Sequence, residues 1–109
     1  MARKTTRQNE VKQSAASAST DKNWTFLSNH GHVLIFLAQD PTSRVRDIAQ
    51  KVGITERSAQ IILADLEASG YLSKKKVGRR NEYTIKTDKK FRHPSESHKS
   101  IKSLLEIFE

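Results

Sequence analysis

Residues 44–85 read RVRDIAQKVGITERSAQIILADLEASGYLSKKKVGRRNEYTI, and a change of period inside this stretch decides the fold. In its first half the apolar residues recur at helical spacing. Ile48, Ala49 and Val52 form a buried stripe that predicts a helix over 46–52. Gly53, free to adopt the left-handed conformation, closes it, and Ile54 plugs the turn. Thr55 is an N-cap residue for a further helix over 56–69, with Ala59, Ile62, Leu63 and Leu66 at i, i+3, i+4, i+7 and Gly70 at its end. After Gly70 the pattern alternates. Tyr71–Val77 reads as one strand and Glu82–Lys86 as its partner, with Tyr83 and Ile85 on one face. Gly78-Arg79-Arg80-Asn81 has the composition of the turn between them. The product is a basic β-hairpin behind two short helices.

Upstream, Pro41 and the extended bias it imposes on Asp40 stop a helix that starts at Asn29 or Gly31 and ends at Gln39. Val33, Leu34, Ile35, Phe36 and Leu37 cover nearly its whole circumference, which predicts burial on more than one side. In a small domain the second layer is either the C-terminal helix or another subunit. Trp24, Phe26 and Leu27 are expected to open the folded part as a strand or a helical turn packed beneath it. Residues 1–22, with one Val as the only branched aliphatic, read as a disordered basic arm. Downstream of a linker containing Pro94, a last helix over 95–108 places Ile101, Leu104, Leu105 and Phe108 on one side, with His98 at its start. The fold class is therefore mainly α with a small β-hairpin (α+β). The chain divides into an arm (1–22), a core domain (23–92) and a C-terminal helix (93–109).

Charge is distributed unevenly. The formal net charge is +8, yet residues 71–92 alone carry nine basic and two acidic side chains, a net +7. A uniformly solubilising surface would not be so concentrated, and the commonest partner for such a cluster is nucleic acid.

Two short helices joined by a Gly-containing turn and followed by a basic hairpin form an arrangement whose second helix enters the major groove. The framework DIA…VGIT…A…LE…GYL across Arg44–Ile85 resembles the winged helix-turn-helix of the ArsR and MarR families of bacterial and archaeal regulators. That resemblance implies that the helix over 56–69 is the recognition helix. Its helical wheel points the same way independently, because Arg57, Gln60, Ile61 and Ala64 face away from the apolar stripe and Ser58 sits at the flank. Arg57 has the fork that engages guanine O6 and N7, and Gln60 can pair with adenine N6 and N7, each such contact giving about 1–3 kcal/mol of discrimination. Ile61 is placed to touch a thymine methyl. Thr55 and the amides at the helix start suit a phosphate. Taken alone, this face has the composition of an ordinary solvated helix; coupled to the hairpin it points to DNA.

Lys74, Lys75 and Lys76 alternate sides of their strand, so Lys74 and Lys76 share one face. Arg79 and Arg80 are expected at the hairpin tip. In the families it resembles, the tip lies along the backbone or in the minor groove, whose potential attracts Arg. Charged residues on this edge also prevent sheet-to-sheet aggregation. Arg44 and Arg46 are further candidate phosphate contacts. The last helix reads as a dimerisation element, an intramolecular cover for the first helix or a docking helix for another protein. The resemblance implies the first, a two-fold dimer with Ile101, Leu104, Leu105 and Phe108 as its surface, which would set two recognition helices about 34–36 Å apart.

The sequence argues against several other classes. It has no cysteine, which removes disulfides, thiolate metal sites and cysteine nucleophiles. No two of His30, His32, His93 and His98 have the i, i+4 spacing of a helical metal pair, so no metal and no cofactor is expected. Neither a nucleophile–base–orienter grouping nor a glycine-rich phosphate loop is visible, so no enzyme activity is expected. The start, MARKTTRQNE, lacks the apolar core of a signal peptide. The longest apolar run, Val33–Ala38, is six residues, too short to cross a membrane. The expectation is a cytoplasmic, sequence-specific double-stranded DNA-binding transcription regulator, on the nucleoid when bound. Two alternatives stay open: a less specific nucleoid- or RNA-binding module, and a protein-interaction adaptor.

Overall fold

The first helix owes its position to its two ends. The structure, a computed structural model, describes residues 24–109; the arm expected over 1–22 lies outside the described residues. Helix α1 (Asn29–Gln39) begins where the Ser28 hydroxyl accepts from the Gly31 amide at 3.2 Å, and it stops at Asp40, whose backbone leaves the helical region at φ −145° and ψ 80° ahead of Pro41. Helix α2 (Val45–Val52) ends at Gly53, held at φ 86° with its amide on the Ala49 carbonyl at 2.8 Å. This left-handed residue turns the chain sharply enough for helix α3 (Glu56–Ala68) to start three residues later. The Thr55 hydroxyl caps α3 by accepting from the Ser58 amide at 3.0 Å.

Strands β1 (Leu72–Val77) and β2 (Arg80–Ile85) pair antiparallel in the register Leu72↔Ile85, Lys74↔Tyr83, Lys76↔Asn81. Leu72 and Tyr83 point into the protein and close the three-helix core over Val33, Leu37 and Ile48, which are fully buried. Each such side chain contributes about 1.5–3 kcal/mol when removed from water. The free edge of β2 is covered at one point, where the Tyr83 amide donates to the Pro41 carbonyl at 2.9 Å.

Beyond β2 the chain leaves and returns. Lys90 bridges Ser100 antiparallel, and the amides of Ile101 and Lys102 donate to the carbonyls of Lys89 and Thr87 at 2.8 and 2.9 Å. The Tyr71 hydroxyl donates to the Lys90 carbonyl. This excursion delivers Ile101 into the core at the start of helix α4 (Ile101–Ile107). The architecture is α+β: a winged helix-turn-helix of four helices and one two-stranded ribbon.

Three expectations need correction. The last helix starts at Ile101 rather than near Ser95. Local bonds such as Ser97 Oγ to the Pro94 carbonyl, 3.1 Å, and the Ser95 amide to His93 Nδ1, 3.1 Å, offer the backbone an alternative to helix. The hairpin turn is two residues, Gly78-Arg79, so Arg80 lies within β2 and not at the tip. Gly78 at φ 64° supplies the positive dihedral that a two-residue hairpin needs to match strand twist. Finally, Trp24 and Phe26 do not pack beneath the domain. Phe26 is 92% exposed, and the two rings stack edge to face at 5.1 Å on the surface.

Candidate nucleic-acid interface

The buried side of α3, Ala59, Ile62, Leu63 and Leu66, leaves Arg57, Gln60, Ile61 and Ala64 on its outer side, all exposed. Ile61 is 50% exposed on this face. Ser58 is half-buried, and its hydroxyl accepts from Thr55 Oγ1 at 3.0 Å. The Thr55 hydroxyl thus uses its one donor within the cap, which leaves the first amides of α3 as donors at that end.

Three acidic residues of α3 border this outer face, and Glu56, in the first turn, is exposed on the same flank as Glu67. At 3.6 residues per turn, Asp65 and Glu67 fall on opposite flanks of it. Asp65 and Glu67 are each met by a basic group from a neighbouring element: Asp65 Oδ2 accepts from His30 Nε2 of α1 at 2.9 Å, and Lys74 Nζ of β1 lies 3.8 Å from Glu67 Oε1. The outer face therefore runs between α1 on one side and the ribbon on the other, with Asp65 and Glu67 on its two flanks partnered. Carboxylates left alone there would repel a phosphate backbone.

The ribbon carries its cations on both faces. Lys76 lies on the same face as Lys74, the side on which α3 packs, whereas Lys75 faces away and lies 3.9 Å from Glu82 Oε1. Lys76 and Arg79 are exposed and make no ion pair among the described residues. Arg80 is different: its guanidinium donates to the Thr42 carbonyl at 3.0 Å. Arg44 precedes α2 and donates from Nε to Asp47 Oδ2 at 3.3 Å, while Arg46 is exposed. Of the sequence-derived candidates, Arg57, Gln60, Ile61, Lys76, Arg79 and Arg46 are exposed. Thr55, Ser58, Lys74, Arg80 and Arg44 each make a side-chain contact within the chain, which still leaves the two guanidiniums and the Ser58 hydroxyl with unused donors.

The anticipated dimerisation set is also divided. Ile101 is 3% exposed and belongs to the core of its own chain, so it is not available to a second copy. Leu105 is half-buried against that core, Leu104 is half-buried, and Phe108 is 44% exposed. A shallow cleft between α1 and α4 is lined by Ile35, Ala38, Leu105 and Phe108.

The pairing of His30 with Asp65 has no local signature, since 35 residues separate them. The hint in the sequence is slight: Asp65, like Glu56 and Glu67, is a carboxylate at the edge of a helix face whose centre is cationic and neutral. Among the described residues no group of three or more His, Cys, Asp or Glu side chains could hold a metal ion. Nor is any helix among them long and apolar enough to cross a membrane.

These elements define a winged helix-turn-helix, with α2 and α3 as the helical pair and β1–β2 as the wing. No family model matches the chain, and no curated protein matches its sequence. Among solved structures it is similar to MepR, a transcription regulator of the Staphylococcus aureus multidrug efflux pump MepA. The TM-score is 0.49 and the identity 25%, over 73% of this chain and 53% of that one. The chain thus spans about half the length of that protein.

Proposed function

We propose that this chain is a sequence-specific double-stranded DNA-binding transcription regulator that acts as a homodimer. Helix α3 enters the major groove, and the wing lies on the backbone or in the minor groove of the same duplex. The observation that carries this reading is the outer face of α3. It presents Arg57, Gln60 and Ile61 to solvent, with Asp65 and Glu67 on its flanks each partnered by a basic group, beside a ribbon that offers Lys76 and Arg79. Arg57 and Gln60 have the donor and acceptor geometry for purine edges, Ile61 suits a thymine methyl, and the ribbon supplies charge that positions the helix. Arg46 adds charge at the start of α2. Leu104 of α4 and Phe108 at its C-cap, with Ile35 and Ala38 of α1, form the surface through which two copies pair. That pairing covers exposed apolar area and spaces two recognition helices by one turn of DNA.

The test is selection of bound fragments from a random duplex library, followed by affinity measurement at fixed salt on the selected duplex, a scrambled duplex and an RNA of the same length. The regulator reading requires the selected duplex to bind at least a thousandfold more tightly than the scrambled one. Equal affinity for all three would favour a nucleoid- or RNA-binding module. A protein-interaction adaptor would bind none of them.

A further inference from the structure

The geometry points to Arg80 as a positioning residue that fixes the angle of the wing, and not as a ligand of DNA; for its effect on affinity this assignment rests on the DNA reading above. Arg80 stands at the start of β2, opposite Val77 and immediately after the two-residue turn. Its Nη1 donates to the carbonyl of Thr42, in the loop between α1 and α2, at 3.0 Å. Three residues further along the same strand, the Tyr83 amide donates to the Pro41 carbonyl at 2.9 Å. Positions 80 and 83, about 10 Å apart along the strand, are therefore tied to consecutive carbonyls of one loop, the first by its side chain and the second by its backbone.

The anchoring loop is itself firm. Ser43 is buried, and its hydroxyl and amide both donate to the Asp40 carbonyl, at 3.0 and 3.3 Å. The loop runs directly into α2 at Arg44. On the other strand, Lys74 Nζ approaches Glu67 of α3. The ribbon is thus tied to the helix-turn-helix from both edges, near its root by Tyr83 and Lys74 and near its tip by Arg80. A two-stranded hairpin has little stability of its own, so without the outer tie the tip would swing. A ligand that must fit a wing held in one orientation loses less conformational freedom on binding. Arg suits this place because its planar fork can hold a carbonyl while its stem lies along the strand.

The assignment separates two neighbouring arginines that look alike in sequence. Arg79 is open at the tip and is free to meet a phosphate; Arg80 holds the ribbon that presents it. The experiment compares R79A, R80A and R80K in the full chain. Amide hydrogen exchange of residues 77–83 is measured in the free protein, and affinity for the selected duplex is measured as a function of salt. R80A is expected to speed exchange in the wing about tenfold, the effect of losing one net hydrogen bond. R80K, which keeps one donor, should restore most of the protection. R79A should leave exchange unchanged. On DNA, R80A should weaken binding several-fold with an unaltered salt slope, whereas R79A should make that slope shallower by about 1 for each phosphate it no longer neutralises.

Wing exchange unchanged in R80A would overturn the assignment, as would a salt slope that falls in R80A as it does in R79A. If no duplex binds any of the proteins, the DNA reading fails. The exchange data then decide on their own whether Arg80 holds the wing.

Discussion

His30 Nε2 donates to Asp65 Oδ2 at 2.9 Å, joining the first turn of α1 to the flank of α3. Both side chains are about half exposed, so solvent screens the pair and its contribution is small, on the order of 0.2–1 kcal/mol. Its placement matters more than its strength. It fixes the carboxylate that borders the outer face of α3 and turns it toward α1. A double-mutant cycle on His30→Ala and Asp65→Asn, followed by denaturant unfolding, should give a coupling energy within that range. In the same proteins, H30A should weaken duplex binding more than D65N does, because only H30A leaves a carboxylate unpartnered beside the phosphates. Equal effects of the two substitutions on binding would refute this role.

Ile101 and Phe108 flank the same short helix but serve different ends. Ile101 is in the core and Phe108 is 44% exposed at the helix end. Ile101→Ala removes atoms from the buried cluster that also holds Tyr71 and Leu72, and should destabilise the fold by about 2–5 kcal/mol. The combined Leu104→Ser and Phe108→Ser variant should keep the helical circular dichroism of the parent and change its sedimentation from two copies to one. A two-copy mass in that variant would remove α4 from the proposed dimer surface.

Gly53, at φ 86°, sets the angle between α2 and α3. A Cβ there meets no atom within 4 Å, so crowding plays no part and the cost of Ala is one of backbone conformation. Gly53→Ala should therefore lower stability by about 1–2 kcal/mol. Gly53→Asn, which tolerates the left-handed region, should cost less. Thermal unfolding of both variants reads the difference, and an unchanged midpoint for G53A would contradict the observed turn.

Most of the fold is legible in the sequence because local chemistry specifies it. Gly53, Thr55 and Gly70 bracket α3 by their backbone preferences alone, and the stripe Ala59, Ile62, Leu63, Leu66 fixes which side is buried. The outer face follows by subtraction. What cannot be read depends on segments distant in sequence. The tie from Arg80 to Thr42 needs the loop after α1 to lie along β2, across 38 residues, and no local pattern in Gly78-Arg79-Arg80-Asn81 distinguishes the two arginines. The start of α4 escapes a local reading for a related reason. The spacing of Ile101, Leu104, Leu105 and Phe108 marks a helix but not where it begins, and the bridge from Lys90 to Ser100 sets that point. The exposed stack of Trp24 on Phe26 runs against the usual bias of large aromatics toward burial.

The two halves of the interface should fail differently when altered. Arg57 and Gln60 face outward from α3 and are assigned to base edges, so replacing either by Ala should cost about 1–3 kcal/mol on the selected duplex and much less on a scrambled one. The ratio between the two duplexes would then shrink. Lys76 and Arg79 are assigned to the backbone, which carries no sequence. Replacing either should weaken both duplexes alike and leave their ratio intact. If about six phosphates are neutralised by a pair of subunits, log affinity of the parent should fall against log salt with a slope of roughly −5, and each phosphate left unneutralised should make it shallower by about 1. Affinity titrations across a salt series on the two duplexes read both quantities at once. A slope near zero, or a specificity ratio that survives the replacement of both Arg57 and Gln60, would place the DNA-binding surface elsewhere on the molecule.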